Sequence, residues 1–294
     1  MSTIRTAFLG LGVMGGPMAG HLHRHGHLVT VYNRTANRAD HWVAMHPGGT
    51  AKPTPREAVS GAQFVFCCVG NDHDLRSVVL GPDGAFAGMG PGAVLVDHTT
   101  ASAEVARELH AEALARGLQF IDAPVSGGQA GAEKGQLAVM CGGDEAAFGL
   151  VQPVIACFAK AVTLMGPSGS GQLTKMVNQL CIAGVVQGLA EAINFAQRAG
   201  LDGEQVLGVI SKGAAQSWQM ENRGTTMLAD RFDFGFAVDW MRKDLGLCLD
   251  EARRNGALLP LAALVDQFYA ELQTMGGGRW DTSSLIRRLH RDMP

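Results

Sequence analysis

The sequence predicts an α/β N-terminal domain built on a Rossmann-type doubly wound sheet, followed by an all-α C-terminal domain. Three observations predict it. A strand, a glycine turn, a helix and a second strand follow one another within about 30 residues of the start. Short apolar strands and helical runs then alternate to about residue 165. After Gly166-Pro167-Ser168 the strands stop and helical periodicity continues to the end. The expected domains are therefore 1–165 and 166–294, the second opened by a long interdomain helix over about 169–199.

Composition sets the outer limits. Of 294 residues, 47% are hydrophobic and 17% charged, which supports a sizeable core and argues against disorder. A net charge of −3 leaves no electrostatic footprint for nucleic acid. The six cysteines form no C-x-x-C pair and read as reduced core thiols. The N-terminus enters an apolar strand too early for a leader peptide, and the longest apolar run carries Lys175, Gln179, Gln187, Glu191 and Asn194, so no membrane span is expected. A cytoplasmic protein follows.

The first strand is Thr6-Ala-Phe-Leu-Gly10, a short apolar run suited to a buried parallel position. It feeds the turn Gly10-Leu11-Gly12-Val13-Met14-Gly15, and a helical run from Met18 to His25 ends at Gly26. Leu28 to Tyr32 is the second strand. With 39 glycines in the chain, three at these offsets are expected by chance ~0.7 times, so the strand–turn–helix context is what gives the motif its meaning. In that context Gly10 makes the turn, Gly12 lets backbone approach a pyrophosphate, and Gly15 lets helix pack on strand, with helix N–H groups facing the phosphates.

The second strand ends in Asn33-Arg34-Thr35, with no carboxylate before Asp40. A guanidinium there suits the 2′-phosphate of NADP, and NADP is favoured over NAD. The other reading has Arg34 stacked on the adenine with either cofactor accepted. His21, His23, His25 and His27 lie at the far end of the first helix with no carboxylate or cysteine constellation beside them, and no metal site is assigned.

The alternation continues with strands at Gln63–Val69, Ala93–Asp97 and Gln119–Ala123, and a helix capped by Ser102 running to about Arg116. Ligands of doubly wound sheets bind beyond the carboxyl ends of strands, which places Val69-Gly70, Asp74 just beyond them, and Thr99-Thr100 at the cofactor. The stretch Asp122 to Gly135 is too glycine-rich for strand or helix; it is either an anion nest or a tight connection. Strands at Leu137–Gly142 and Ala161–Leu164 flank a helix at Glu145–Phe158. Further helices are expected at Asp202–Ser211, Trp218–Leu228, Val238–Asn255, Pro260–Met275 and Ser283–His290.

The long helix holds the most unusual residue. From Gln172 to about Ala199 the chain is apolar around most of its circumference, as in a buried helix. Lys175 is the only basic residue between Gly169 and Gln197, and Asn178 and Gln179 lie one turn on. Taken alone, this lysine could snorkel to solvent; in a buried helix it is out of place, and such residues tend to be functional.

Four blocks in order resemble the β-hydroxyacid dehydrogenase family, which includes 3-hydroxyisobutyrate dehydrogenases and semialdehyde reductases. They are Gly10-Leu-Gly-Val-Met-Gly-Gly-Pro-Met-Ala, Asp122-Ala-Pro-Val-Ser-Gly-Gly with Gly131 and Gly135, Gly169-x-Gly171-x-x-x-Lys175-x-x-Asn178-Gln179, and Phe234-Gly-Phe236 with Lys243-Asp-Leu. Together they span nearly the whole chain. The resemblance implies Lys175 as the catalytic general acid and base, Ser126, Gly127 and Gly128 as the loop for a substrate carboxylate, Asn178 or Gln179 as substrate contacts, and Thr100 and Lys243 as cofactor contacts. It also implies a homodimer or homotetramer. Many relatives carry Asn-Asn at 178–179 and Leu-Pro at 69–70; this chain departs with Gln179 and with Val69-Gly70.

The expected activity is NAD(P)-dependent interconversion of a small 3-hydroxyacid and its semialdehyde. Three alternatives stand against it, of which a 6-phosphogluconate dehydrogenase is related but has a much longer chain. An imine reductase is similar in fold but usually lacks the lysine of the third block, and a non-catalytic NADP-binding module would have no use for Lys175, Asn178 and Ser126. Which acid is bound is not readable, since one methylene is worth only about 1–3 kcal/mol. Trp218, Met220 and Phe236 either line the pocket or belong to the core.

Overall fold

The computed structural model describes residues 3–290. Internal contacts group the chain into two units, Met1–Lys175 and Met176–Pro294.

The first unit opens with β1 (Arg5–Leu9), α1 (Gly15–Arg24), β2 (Leu28–Tyr32), α2 (Ala36–Met45), β3 (Thr50–Ala51), α3 (Pro55–Ala58), β4 (Phe64–Cys67) and α4 (Asp72–Leu80). It continues through β5 (Val94–Asp97), α5 (Ala103–Ala115), β6 (Gln119–Asp122), β7 (Val125–Ser126), α6 (Gly128–Lys134), β8 (Leu137–Gly143), α7 (Glu145–Ile155) and β9 (Ala159–Gly166). The strands form one sheet in the order β3-β2-β1-β4-β5-β6-β8-β7, with β9 on β8. β3 to β6 pair in parallel; β8 runs antiparallel to β6 and β7.

Side chains alternate across the strands and build two cores. Phe8, Phe64, Phe66, Val94, Val96 and Ile121 face one way, toward Met18 and Leu22 of α1 and Val151 of α7. Ala7, Leu9, Val65, Cys67, Leu95 and Phe120 face the other, toward Leu75 of α4 and Leu109 of α5. Such near-continuous apolar strands belong to a sheet covered on both faces, and the doubly wound architecture is as the sequence predicts.

The second unit is helical. The helix α8 (Ser170–Arg198) is followed by α9 (Gly203–Ile210), α10 (Trp218–Leu228), α11 (Val238–Asn255) and α12 (Pro260–Thr274). Its core joins Ala183, Val186, Ala190 and Ile193 of α8, spaced by three or four residues, to Val238, Met241 and Leu245 of α11 and Val265, Tyr269 and Leu272 of α12. By length and composition α8 could cross a bilayer, yet this stripe is spent on the helical core. Buried Gln172, Lys175, Gln179 and Gln187 also lie along it.

Three expectations need correction. The glycine-rich stretch is not structureless: it forms β7 and α6. Gly127 (φ 134°), Gly128 (φ 61°) and Gly135 (φ 66°) confine the special backbone to its two ends, and Gln129 to Lys134 between them are good helix formers apart from Gly131. Gly131 is placed by packing, since a Cβ there would sit 3.2 Å from the Leu137 side chain. The last helix is 3₁₀, over Thr282–His290, its start fixed by Asp281, which accepts from Ser283 N and Oγ. Not all cysteines are core thiols: none is in a disulfide, but Cys181 is exposed and Cys68 half-buried.

Candidate active site

The glycine turn has the geometry a pyrophosphate needs. Gly10 has φ 97°, and a Cβ on it would collide with the carbonyl oxygen of Cys68. A Cβ on Gly15 would strike the Gly10 carbonyl and lie 2.9 Å from the Phe8 ring. At Gly12 a Cβ would meet nothing within 4 Å, so the turn is open there. The helix behind it is also left ready for an anion. Helices α3, α4, α5, α7, α9 and α10 are capped by the side chains of Thr54, Asn71, Ser102, Asp144, Asp202 and Ser217. Among the described residues no side chain caps α1, as none caps α2, α6, α11 or α12, and its first turn has no carboxylate. A phosphate fits this terminus on both counts. Leu11 is buried, Met14 packs on the core and Val13 stands exposed at the tip.

Asn33, Arg34 and Thr35 divide their work. Asn33 Oδ1 accepts from Leu11 N at 2.9 Å and its Nδ2 donates to Thr35 O at 3.0 Å, so its amide braces the turn against the end of β2. Thr35 starts α2 without a side-chain cap bond. The Arg34 side chain, 83% exposed, pairs through Nη1 with Asp74 Oδ1 at 3.0 Å. Asp74 is held in turn by its own N–H, which donates to the cap residue Asn71 at 2.9 Å.

Beyond β4 and β5 the loops are tied together. Val69 N donates to Thr99 Oγ1 at 3.0 Å, and Thr99 N donates to Asp97 Oδ1 at 3.0 Å. Gln172, buried at the start of α8, donates from Nε2 to Thr99 O at 2.8 Å and accepts at Oε1 from Ala101 N at 3.1 Å. Thr100 sits inside this bracket and Gly70 beside it.

Asp122, buried at the end of β6, fixes the same helix. Its Oδ1 accepts from Gly169 N at 2.7 Å and its Oδ2 from Gln172 N at 3.0 Å. Burial pushes this carboxyl up to about 6, against the pull of the N–H donors. Gly142 and Gly171 let the backbones close on it: a Cβ on Gly142 would lie 2.7 Å from Asp122 Oδ1, and one on Gly171 would hit the Met140 carbonyl. One turn beyond Gln172 is Lys175, 8% exposed. Neither Asp122 nor Gln172 has a role that local sequence makes visible. Their partners lie 47 to 73 residues away, and no local spacing signals that.

Ser126 lies half-buried on β7, opposite Ala138 of β8, and Gly127-Gly128 turn from it into α6. The far end of α6 is held by His21, whose Nε2 meets Ala132 O at 3.1 Å and Glu133 O at 3.0 Å. His23 meets Pro47 O and His25 meets His21 O in the same manner, so three of the four clustered histidines are engaged with backbone carbonyls.

In the helical unit the two neighbouring amides differ. Gln179, 2% exposed, donates from Nε2 to Asp244 Oδ2 at 2.6 Å and accepts from Asn178 Nδ2 at 2.8 Å. Asp244 also pairs with Lys243 Nζ at 3.0 Å, and that ammonium lies 5.8 Å from the Trp240 ring centre. Of the suggested pocket-lining residues, Met220 is core, and exposed Trp218 joins Phe234 in stacking on Arg223. Phe236 is held by its N–H on Asp281 at 2.9 Å.

Comparison with known proteins finds matches over nearly the whole chain. Residues 5–166 match the NAD binding domain of 6-phosphogluconate dehydrogenase, and residues 169–289 match a domain described as NAD-binding of NADP-dependent 3-hydroxyisobutyrate dehydrogenase. An uncharacterized oxidoreductase of Shewanella frigidimarina is 64% identical, covering 98% of both chains. The 2-hydroxy-3-oxopropionate reductase of Escherichia coli is 32% identical over 97% of both. The solved 3-hydroxyisobutyrate dehydrogenase of Mycobacterium tuberculosis with L-serine superposes with a TM-score of 0.88 at 32% identity, covering 98% of this chain and 99% of that one.

Proposed function

The chain belongs to the β-hydroxyacid dehydrogenase family of NAD(P)-dependent oxidoreductases, and on that premise we propose that it interconverts a small 3-hydroxyacid and its semialdehyde, with Lys175 as general acid and base and NADP(H) favoured over NAD(H). The observation that carries the reading is Lys175: a buried lysine one turn beyond Gln172, on a helix start fixed by Asp122.

When bound, the nicotinamide supplies or accepts the hydride at the carbon that bears the reacting oxygen. In reduction Lys175 Nζ stabilises charge on that oxygen and gives it a proton; in oxidation the neutral amine takes the proton from the hydroxyl. Ser126 with the Gly127 and Gly128 N–H groups holds the carboxylate, and Asn178 orients the substrate. Gly10 to Gly15 take the pyrophosphate, while Arg34, Val69, Gly70, Thr100 and Lys243 contact the rest of the cofactor. The substrate class is supported by names among the relatives: 2-hydroxy-3-oxopropionate, 3-hydroxyisobutyrate and L-serine each join a carboxylate to an oxygen on the β-carbon. A homodimer or homotetramer is supported by the apolar Val177, Val185 and Phe195 left exposed along α8.

The test is NADPH and NADH oxidation with succinic, methylmalonate and tartronate semialdehydes and glyoxylate. Methylmalonate or tartronate semialdehyde, whose reduction gives a 3-hydroxyacid, is expected to turn over in preference to succinic semialdehyde and glyoxylate, which give a 4- and a 2-hydroxyacid, and Lys175→Ala is expected to lose ~10²–10⁴-fold in kcat with nucleotide binding retained. Full activity in that variant would remove the role of Lys175. No turnover of methylmalonate or tartronate semialdehyde by the unmutated protein would remove the 3-hydroxyacid reading, whatever happens with the other two.

A further inference from the structure

The ribose end of the cofactor site holds two opposite charges, although the sequence shows only one there. No carboxylate follows β2, where an NAD-type site places it. Asp74 brings one from a different part of the chain. In the sheet order β2 and β4 flank β1, so the chain beyond each converges above the end of β1, where the glycine turn begins. The 3.0 Å contact of Arg34 Nη1 with Asp74 Oδ1 joins the two across that turn. Asn33 is oriented by the turn itself, its Oδ1 accepting from Leu11 N and its Nδ2 donating to Thr35 O.

The two charges favour different riboses. The Arg34 guanidinium attracts a 2′-phosphate, and its other N–H donors leave it able to take one. The Asp74 carboxylate repels that phosphate and occupies the same guanidinium, yet it is an acceptor for a 2′-hydroxyl. We propose that Asp74 is a cofactor-selecting residue, which holds the preference for a 2′-phosphate below what Arg34 alone would give and so keeps NAD(H) usable. The proposal rests on reading Gly10–Gly15 as a dinucleotide turn.

Adenosine fragments test it without any substrate. Binding of 2′,5′-ADP and of 5′-AMP is measured by calorimetry on the unmutated protein and on Asp74→Asn, Asp74→Glu and Arg34→Gln. Asp74→Asn is expected to tighten 2′,5′-ADP relative to 5′-AMP by about five- to tenfold, the scale of one exposed unit charge. Asp74→Glu keeps the charge and is expected to stay within about twofold of the unmutated ratio, while Arg34→Gln shifts the ratio toward 5′-AMP. The NADPH to NADH ratio of kcat/KM is expected to move in parallel. An unmoved fragment ratio in Asp74→Asn overturns the proposal while leaving the dinucleotide site intact. Failure of both fragments to bind the unmutated protein overturns the dinucleotide reading and the proposal together. Asparagine is nearly isosteric and the helix cap uses only the backbone N–H of this residue, so the variant retains its fold.

Discussion

Gln179 is tied to Asp244 at 2.6 Å and is almost wholly buried, whereas its neighbour Asn178 is only half-buried. This assigns different work to two amides that are indistinguishable in sequence. Asn178→Ala is expected to lower kcat/KM with little change in melting. Gln179→Ala is expected to lower stability by about 1–3 kcal/mol, because it removes a donor from a buried carboxylate. Chemical denaturation and steady-state kinetics on both variants check this; a stable Gln179→Ala whose kinetics collapse would reverse the assignment. The sequence could not separate the pair because the partner, Asp244, lies 65 residues away on another helix. Lys175 was legible for the opposite reason: its setting is its own helix, and one charge in an apolar stretch needs no fold to be noticed. Asp74 lies between these cases. Its identity was visible, but its meeting with Arg34 across 40 residues was not.

At the end of β5 two adjacent buried groups are shifted in opposite directions. Burial pushes the Asp97 carboxyl from 3.8 up to about 7, offset in part by Thr99, and burial holds the His98 imidazole down from 6.5 to about 4. Asp97 alone contributes stability that is present below pH 3.8 and lost as pH rises through about 7. His98 alone contributes stability that is present above pH 6.5 and lost as pH falls through about 4. Between about pH 4 and 6.5 the unfolded pair carries its one proton on the imidazole and the folded pair carries it on the carboxyl. The two slopes therefore cancel there. Asp97→Asn is expected to be progressively less stable as pH falls through that window, and His98→Phe as it rises, each by about 1.4 kcal/mol per unit of the exposed shift. Denaturant midpoints at several pH values measure the slopes; an Asp97→Asn slope equal to that of the unmutated protein would contradict the pairing. Whole elements were easier to read than this pair. Strands β1, β2, β4, β5 and β6 announce themselves as short apolar runs, and α10 and α11 match their expected limits. The short β7 and α6 are hidden in sequence because glycine frequency carries no position, while the special φ angles fall only at the ends of α6.

For the molecule as a whole, the switch from alternating strands to continuous helices was enough to give the architecture, since two cores on opposite sheet faces and a third among helices follow from periods of 2.0 and 3.6. What periodicity could not give is the mixed end of the sheet, where β8 reverses direction, because a strand's sense leaves no mark on its composition. Nucleotide binding should be visible at this scale: at a hundredfold excess over Kd, NADPH is expected to add about 2.7 kcal/mol to unfolding. A melting curve unmoved by saturating NADPH and NADH alike would argue against the glycine turn as a cofactor site. The junction of Gly142, Gly171 and Asp122 limits how such a protein can evolve. Each glycine there is hemmed in by carbonyl or carboxylate oxygens, so neither can gain even a methyl group without displacing backbone. A lineage acquiring a new substrate cannot begin its mutational path at this junction. Its early steps must fall on side chains that border open space.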